Sequence, residues 1–206
     1  AVGLVTLQAQ GEAAFAHGSA GRDLLLVSLG VVTAVPLLLF ATAATRILES
    51  PITRQVLANG AWAATGNSQP ALLAKLLDEP YFSLALPKSS GRELFHLGWL
   101  QQRLAQCAQS FAAEDVQATL LDLTSKTIAD AIIQVAPDCQ RIIVCGGGAH
   151  NASLMQTLRA YLPAMIIDSS NQHHGDVDFV EASAFAWLAF RTLNQQTLAP
   201  GLREER

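Results

Sequence analysis

Charged residues are scarce in this chain of 206 residues, and their scarcity excludes several kinds of protein. Only 15% of the residues are charged and the net charge is -4, so there is no basic surface for a nucleic-acid partner. Half of the residues are hydrophobic, which excludes a disordered chain and predicts one domain with a large core. No signal-peptide pattern is visible near the first residue, and the absence of an initiator Met is compatible with a start partway through a longer protein.

Cysteine is also rare. The sequence has three cysteines, an odd number, and they show no C-x-x-C spacing: Cys107, Cys139 and Cys145. Neither a disulfide framework nor a zinc site is therefore predicted, and no other metal site is proposed from the pattern. Free thiols suit a reducing compartment, so we expect a cytoplasmic protein.

One long uncharged run requires a choice between two structures. Leu24 to Ala44 carries no charge over 21 residues, which is long enough to cross a bilayer as a helix. Gly30 and Pro36 divide the run into pieces of strand length that are rich in Val, Thr and Leu. Two strands buried on both faces are the favoured interpretation, and a membrane anchor over residues 24–44 is the alternative.

Hydrophobic periodicity after residue 50 predicts an α/β domain whose strands pair in parallel through a right-handed crossover. The predicted helices are Gln69–Leu77, Gly91–Gln106, Ala113–Val135, Asn151–Tyr161 and Phe179–Asn194, and the predicted strands are Arg141–Cys145 and Met165–Ile167. The tryptophans at 62, 99 and 187 each lie in a helical apolar pattern, so all three are predicted to be core residues.

Three consecutive glycines follow the predicted strand that ends at Cys145. Gly146, Gly147 and Gly148 permit positive φ and close approach of a ligand to the backbone, and Asn151 is suited to cap the helix behind them. Helix N-termini collect free backbone N–H groups that favour phosphate. The turn is therefore a candidate nucleotide site, although glycines after a strand also serve simply to turn the chain.

A polar loop, DSSNQHHGDVDFVEA, lies between the last predicted strand and the last helix. Because ligands of open α/β sheets bind beyond the carboxyl ends of the strands, this loop and the glycine turn are predicted to face one crevice. His173 and His174 fit a surface loop better than metal ligation. Asp176 and Asp178 are interpreted as favouring the dipole of the following helix, while Glu181 is a candidate for acid or base chemistry.

Five ordered sequence blocks together resemble the anhydro-N-acetylmuramic acid kinases of the sugar kinase, heat-shock and actin superfamily. The resemblance covers about residues 59–193, in the blocks Gly60–Gly66, Pro80–Phe95, Asp115–Ile132, Cys145–Met155 and Gly175–Ala189. It implies an ATP-dependent kinase that opens the 1,6-anhydro ring of a cell-wall sugar and phosphorylates its 6-oxygen. The implied fold is two ribonuclease-H-like lobes of the actin-like ATPase type around a cleft, each a mixed sheet with flanking helices.

The same resemblance assigns expected roles to individual residues. It places Gly146, Gly147, Gly148 and Asn151 at the nucleotide. It also places Glu181 at the cleft, and Lys88, Ser89, Gly91 and Arg92 in a loop beside the cleft. The expected ligands are ATP, with Mg²⁺ as its usual companion, and a small sugar, and the expected assembly is a homodimer formed through the apolar helices of the middle region.

The first fifty residues depart from the family pattern. Ala41 stands where the resemblance implies the catalytic aspartate, and Ala43 and Thr45 stand where it implies glycines. We expect residues 1–50 to form a degenerate strand region continuous with a nucleotide-side C-terminal lobe over 51–206, and the chain alone to have little or no kinase activity. A regulatory module that binds nucleotide without turnover is the alternative, and a sequence error in residues 1–50 would also explain the departures.

Overall fold

The computed structural model describes residues 24–28, 60–85 and 94–195. Its strands are β1 (Leu24–Ser28), β2 (Arg141–Cys145) and β3 (Ile166–Ser169). Its helices are α1 (Pro70–Leu77), α2 (Leu97–Ala105), α3 (Ala113–Val135), α4 (Ala152–Tyr161) and α5 (Val180–Leu193). The predicted α/β class is confirmed, as are the bounds predicted for α3 and β2.

The three described strands form a parallel sheet in the order β1-β2-β3. Ser28 lies opposite Cys145, and Val144 lies opposite Ser169, so the carboxyl ends of the strands meet at one edge. The antiparallel strand that a mixed sheet requires is not among these three. Residues 24–28 are a strand, so the alternative of a membrane helix over Leu24–Ala44 is wrong for its first five residues, and the remainder of that run lies outside the described residues.

Among the described strands, β3 lies at one edge of the sheet, and an arginine contacts its outer side. Arg159 of α4 donates hydrogen bonds from Nε and Nη2 to the carbonyl oxygen of Ile167 at 3.3 and 3.0 Å. An unpaired strand edge offers such carbonyls to other chains, and a charged side chain placed on the edge prevents this pairing. The sequence pattern placed this strand at Met165–Ile167, whereas the structure has it at Ile166–Ser169.

A sheet cluster of buried side chains packs α3 and α4 against β2 and β3. Its members are Ile128, Ala129, Ile132, Cys139, Ile142, Val144, Leu154, Met155, Leu158, Leu162 and Ile167. Four consecutive residues of β2, Ile142 to Cys145, are buried, as expected for a central parallel strand covered on both faces. This cluster fixes the start of α4 relative to the end of β2.

A separate helical cluster packs α1 and α2 against the first half of α3. Its members are Leu72, Leu76, Phe95, Trp99, Leu100, Leu120 and Leu123. The 23 residues of α3 span about 34 Å and contribute side chains to both clusters. Buried hydroxyls on this helix are satisfied locally, since Thr119, Thr124 and Ser125 each donate to the carbonyl four residues earlier.

The start of α2 was predicted at Gly91, and the structure places it at Leu97. The physical reason is His96, whose ring Nδ1 accepts a hydrogen bond from the Trp99 amide at 3.3 Å and so caps the helix there. Residues 94–96 form a turn and bend before that cap, and residues 86–93 lie outside the described part of the chain.

The last helix, α5, matches the prediction in position but not in burial. Trp99 is 6% exposed, which confirms its predicted core position, whereas Trp187 is 42% exposed and its predicted core position is wrong. Phe185, Phe190 and Leu193 are exposed as well. Trp187 instead contacts the Arg191 guanidinium, 5.2 Å from the ring centre. The apolar pattern of α5 therefore does not correspond to a core within the described residues.

Glu79 joins the segment after α1 to α2 through a largely buried hydrogen-bonded pair. Its Oε2 accepts from Trp99 Nε1 at 2.8 Å and from Arg103 Nη2 at 2.7 Å. Burial raises the pKa of Glu79, but the hydrogen bonds from Arg103 and Trp99 and the Arg103 charge outweigh it, and the pKa lies below the ordinary value.

We expect Glu79→Gln to lower the free energy of unfolding by about 1.5–3 kcal/mol at pH 7, as is typical for a hydrogen bond to a charged group. A lowered folded-state pKa stabilises the protein above the unfolded pKa of about 4.3 and stops doing so as the pH falls through the folded value. The difference between wild type and variant in urea unfolding should therefore shrink below about pH 4. The control is Asp78→Asn, which removes an exposed partner of Lys75 and should cost no more than about 1 kcal/mol. Equal losses in both variants would contradict the role of Glu79.

Candidate functional site

The glycine turn and the polar loop meet at the carboxyl edge of the sheet. The Gly146 amide donates to the carbonyl oxygen of Val177 at 2.8 Å, and the Val177 amide donates to Asn171 Oδ1 at 3.0 Å. Val177 itself is buried. The two segments that were predicted to face one crevice are therefore directly hydrogen-bonded in the structure.

The glycine turn continues into a short 3-10 helix, Gly147–His150. Gly146 has φ 80°, a conformation that side chains rarely adopt, so the turn requires a glycine there. Gly148 is buried and Gly147 is exposed. Apart from the adjoining backbone, a Cβ added at Gly147 would meet no heavy atom of the described residues within 4 Å, so these residues leave this backbone open to a ligand.

The start of α4 is capped as predicted. Asn151 Oδ1 accepts a hydrogen bond from the Leu154 amide at 3.0 Å. The cap is in turn held by a residue that sequence reasoning did not assign, Gly60, whose carbonyl accepts from Ser153 Oγ at 3.0 Å. Gly60 has φ 75°, and a Cβ on it would overlap Asn151 Oδ1. The first sequence block therefore supports the candidate nucleotide turn.

Two aspartates of α3 hold the segment that follows that block. Asp115 accepts from the Asn67 amide at 2.8 Å and from Gln69 Nε2 at 3.0 Å. Asp122 accepts from Ser68 Oγ and from the Tyr161 hydroxyl, the latter at 2.6 Å. Burial, followed by the hydrogen bond and charge of Asp122, raises the pKa of Tyr161 to about 12. These contacts join the segment before α1 to α3 and α4, and no short motif signals them because they connect residues far apart in the chain.

The histidines of the polar loop have different surroundings. His173 Nε2 lies 2.9 Å from Asp168 Oδ2, and His174 is exposed with φ 61°. Asp178 was predicted to favour the dipole of the following helix. In the structure it also pairs with His150, since its Oδ1 lies 2.9 Å from Nε2 of that residue. Across residues 24–28, 60–85 and 94–195, no group of three or more His, Cys, Asp or Glu residues is placed to hold a metal ion.

The predicted site residues divide into two sets. Gly146, Gly147, Gly148 and Asn151 are brought together in one turn at the edge of the sheet, and Glu181 is the second residue of α5. The other predicted site positions lie outside the described residues: Ala41, Lys88, Ser89, Gly91 and Arg92.

Two further observations concern the class of protein. No disulfide bond joins any two of Cys107, Cys139 and Cys145, all of which lie within the described residues. None of the helices that the structure describes is both long enough and apolar enough to cross a bilayer.

Comparison with known proteins identifies the family. Residues 47–201 match the family model for anhydro-N-acetylmuramic acid kinase. Proteins of that name from Pseudomonas fluorescens and Shewanella oneidensis are 50% and 53% identical to this chain over 131 and 133 residues. The protein of that name from Pasteurella multocida is 47% identical over 137 residues.

These matches cover only part of the relatives. They include 64–66% of this chain and 36% of each relative, so the chain spans about a third of the length of the curated relatives that it matches. The family match begins at residue 47, which agrees with the predicted departure of the first fifty residues from the family pattern. With three quarters of its length inside the family match, the chain belongs to the anhydro-N-acetylmuramic acid kinase family.

Proposed function

We propose that this chain is the nucleotide-side part of an ATP-dependent kinase that opens the 1,6-anhydro ring of anhydro-N-acetylmuramic acid and phosphorylates its 6-oxygen. Within this proposal the chain is one ribonuclease-H-like lobe of a two-lobed enzyme. The second lobe corresponds to the part of the relatives that the chain does not cover. The family membership and the parallel sheet with flanking helices support this assignment.

The observation that carries the proposal is the open backbone at Gly147. Phosphoryl transfer depends almost entirely on positioning and on charge stabilisation, so a kinase needs a rigid surface that a nucleotide can approach closely. The turn provides one, because Gly146 has the conformation that directs the chain, Gly148 is buried against the fold, and Asn151 fixes the helix behind them. An added Cβ at Gly147 would fill only free space. We assign the adenosine end of ATP to this surface.

The remaining site residues complete the proposal. Glu181, in the first turn of α5, is assigned to the cleft by resemblance to the family, as are Lys88, Ser89, Gly91 and Arg92. Mg²⁺ is assigned to the nucleotide phosphates, since this ion keeps most of its water ligands and needs few from the protein. A cytoplasmic location agrees with the lack of a disulfide bond among the three cysteines and with the use of ATP. The homodimer stays a prediction.

Activity should depend on the parts that this chain lacks or has altered. We expect the chain of 206 residues to bind ADP in calorimetry, but to convert ATP and anhydro-N-acetylmuramic acid at least about 10²–10⁴-fold more slowly than a full-length relative. This is the factor typical of a missing general base, and Ala41 occupies the position implied for that base. The Shewanella oneidensis relative serves as the positive control.

The two readouts separate the alternatives. Turnover comparable with that of the full-length relative would contradict the importance assigned to Ala41. Failure of the folded chain to bind ADP would contradict the nucleotide assignment. A regulatory module would be indicated if the protein that contains this chain together with the missing lobe binds ADP and still shows no turnover.

A further inference from the structure

A histidine and an aspartate bridge the two segments of the candidate site. His150 closes the 3-10 helix of the glycine turn, Asp178 lies just before α5, and their Nε2 and Oδ1 atoms are 2.9 Å apart. We propose that His150 and Asp178 are positioning residues that hold the first turn of α5, with Glu181, at a fixed distance from Gly147. This inference rests on the proposed nucleotide site.

The bridge matters because, among the described residues, few other contacts hold the start of α5. None of the α5 side chains that the structure describes is buried, so the sheet and helical clusters do not anchor this helix. The segment before it is attached through Val177, whose carbonyl accepts from Gly146 and whose amide donates to Asn171. The interaction of His150 with Asp178 adds a contact between side chains at the residue that follows Val177. It therefore joins the glycine turn to the chain two residues before α5 begins.

The size of the effect follows from the exposure of the pair. The side chains of His150 and Asp178 are 50% and 59% exposed, and such pairs contribute no more than about 1 kcal/mol. If this stabilising free energy is lost from the nucleotide-bound state only, the affinity of the protein for ADP falls by up to about fivefold. The pair is thus expected to adjust the geometry of the site without being required for folding.

The chain contains a matched control for this pair. His173 and Asp168 lie at the same 2.9 Å separation, but they connect β3 to the turn that directly follows it, and they are more buried. Loss of that pair should reduce stability at least as much as loss of the bridge while leaving the distance from Gly147 to α5 unchanged. A comparison of His150→Ala with His173→Ala therefore separates positioning from general stabilisation.

Calorimetric ADP binding to the full chain provides the first test. We expect His150→Ala and Asp178→Ala each to weaken ADP binding by about three- to fivefold, and the double variant to be no weaker than either single variant, because both remove one interaction. His150→Gln, which retains a side-chain N–H donor, should restore part of the affinity. His173→Ala should bind ADP as the wild type does. Equal ADP affinity in His150→Ala and wild type would overturn the inference.

A second test does not depend on the nucleotide. The Gly146 amide is bonded to Val177, so its hydrogen exchange reports how firmly the two segments are joined. We expect faster exchange at Gly146 in His150→Ala and unchanged exchange in His173→Ala. Unchanged Gly146 exchange in His150→Ala would overturn the bridge, even in a protein that binds ADP. Failure of the wild type to bind ADP, with the expected exchange result, would instead overturn the proposed function.

Discussion

Replacing Gly147 with alanine should leave the fold intact and weaken ADP binding about tenfold, and replacement with valine should weaken it about a hundredfold. These factors correspond to about 1.4 and about 2.7 kcal/mol, within the cost of about 1–3 kcal/mol for extra methyl groups in a filled space. The reason is that, apart from the adjoining backbone, no heavy atom of the described residues lies within 4 Å of the added Cβ, so the space is available to a ligand. Affinity is measured by calorimetry, and stability by urea unfolding.

Measuring both quantities makes this substitution informative. At a position where alanine meets no strain, Gly→Ala raises the free energy of unfolding by about 0.4–1 kcal/mol, because it restricts the unfolded chain. We therefore expect the Gly147→Ala protein to be at least as stable as the wild type while it binds ADP less tightly. A variant that binds ADP with wild-type affinity would remove Gly147 from the site and leave the glycines as a chain turn only.

The opposite behaviour is expected of Gly66→Ala. A Cβ at Gly66 would overlap the carbonyl carbon and oxygen of Glu114 and would lie 2.7 Å from the Asp115 amide nitrogen. These atoms belong to the backbone of the first turn of α3, so no side-chain rotation relieves the overlap. We expect the free energy of unfolding to fall by about 3 kcal/mol, at the upper end of overpacking costs, with a Tm lower by roughly 6–12 °C.

The control for this substitution is Gly175→Ala. There the nearest atoms to an added Cβ belong to Ser170 at 3.5 Å, which is ordinary contact. Its unfolding free energy should stay within about 0.5 kcal/mol of the wild-type value. Thermal unfolding followed by circular dichroism compares the variants directly, and a Gly66→Ala protein with wild-type Tm would show that α3 shifts to accommodate the new methyl group without cost.

Local sequence patterns predicted those elements that are determined locally. The bounds of α3 follow from its own apolar period, and β2 follows from a continuous apolar run that stops at glycine. The start of α2 was predicted too early because the period continues through residues that the His96 cap excludes from the helix. Trp187 was misplaced for a related reason. An apolar stripe indicates that a helix has a partner, but it does not indicate where that partner lies.

The candidate site shows the same division between local and distant signals. The glycines and Asn151 could be predicted because a turn and an N-cap are properties of adjacent residues. The roles of Gly60 and Gly66 could not, since each depends on close approach to an element more than forty residues away. The pairing of His150 with Asp178 is likewise visible only once β2 and β3 are adjacent, because 28 residues separate the two side chains.

The length of α3 has a consequence for how the molecule comes apart. Because one continuous helix supplies Leu120 and Leu123 to one apolar cluster and Ile128, Ala129 and Ile132 to the other, unwinding that helix in either cluster weakens its support in the other. The domain should therefore melt in one cooperative transition rather than in two steps. A break in the chain between Leu123 and Ile128 would leave the buried residues of each cluster together in one fragment, but it would sever the helix that connects the two clusters.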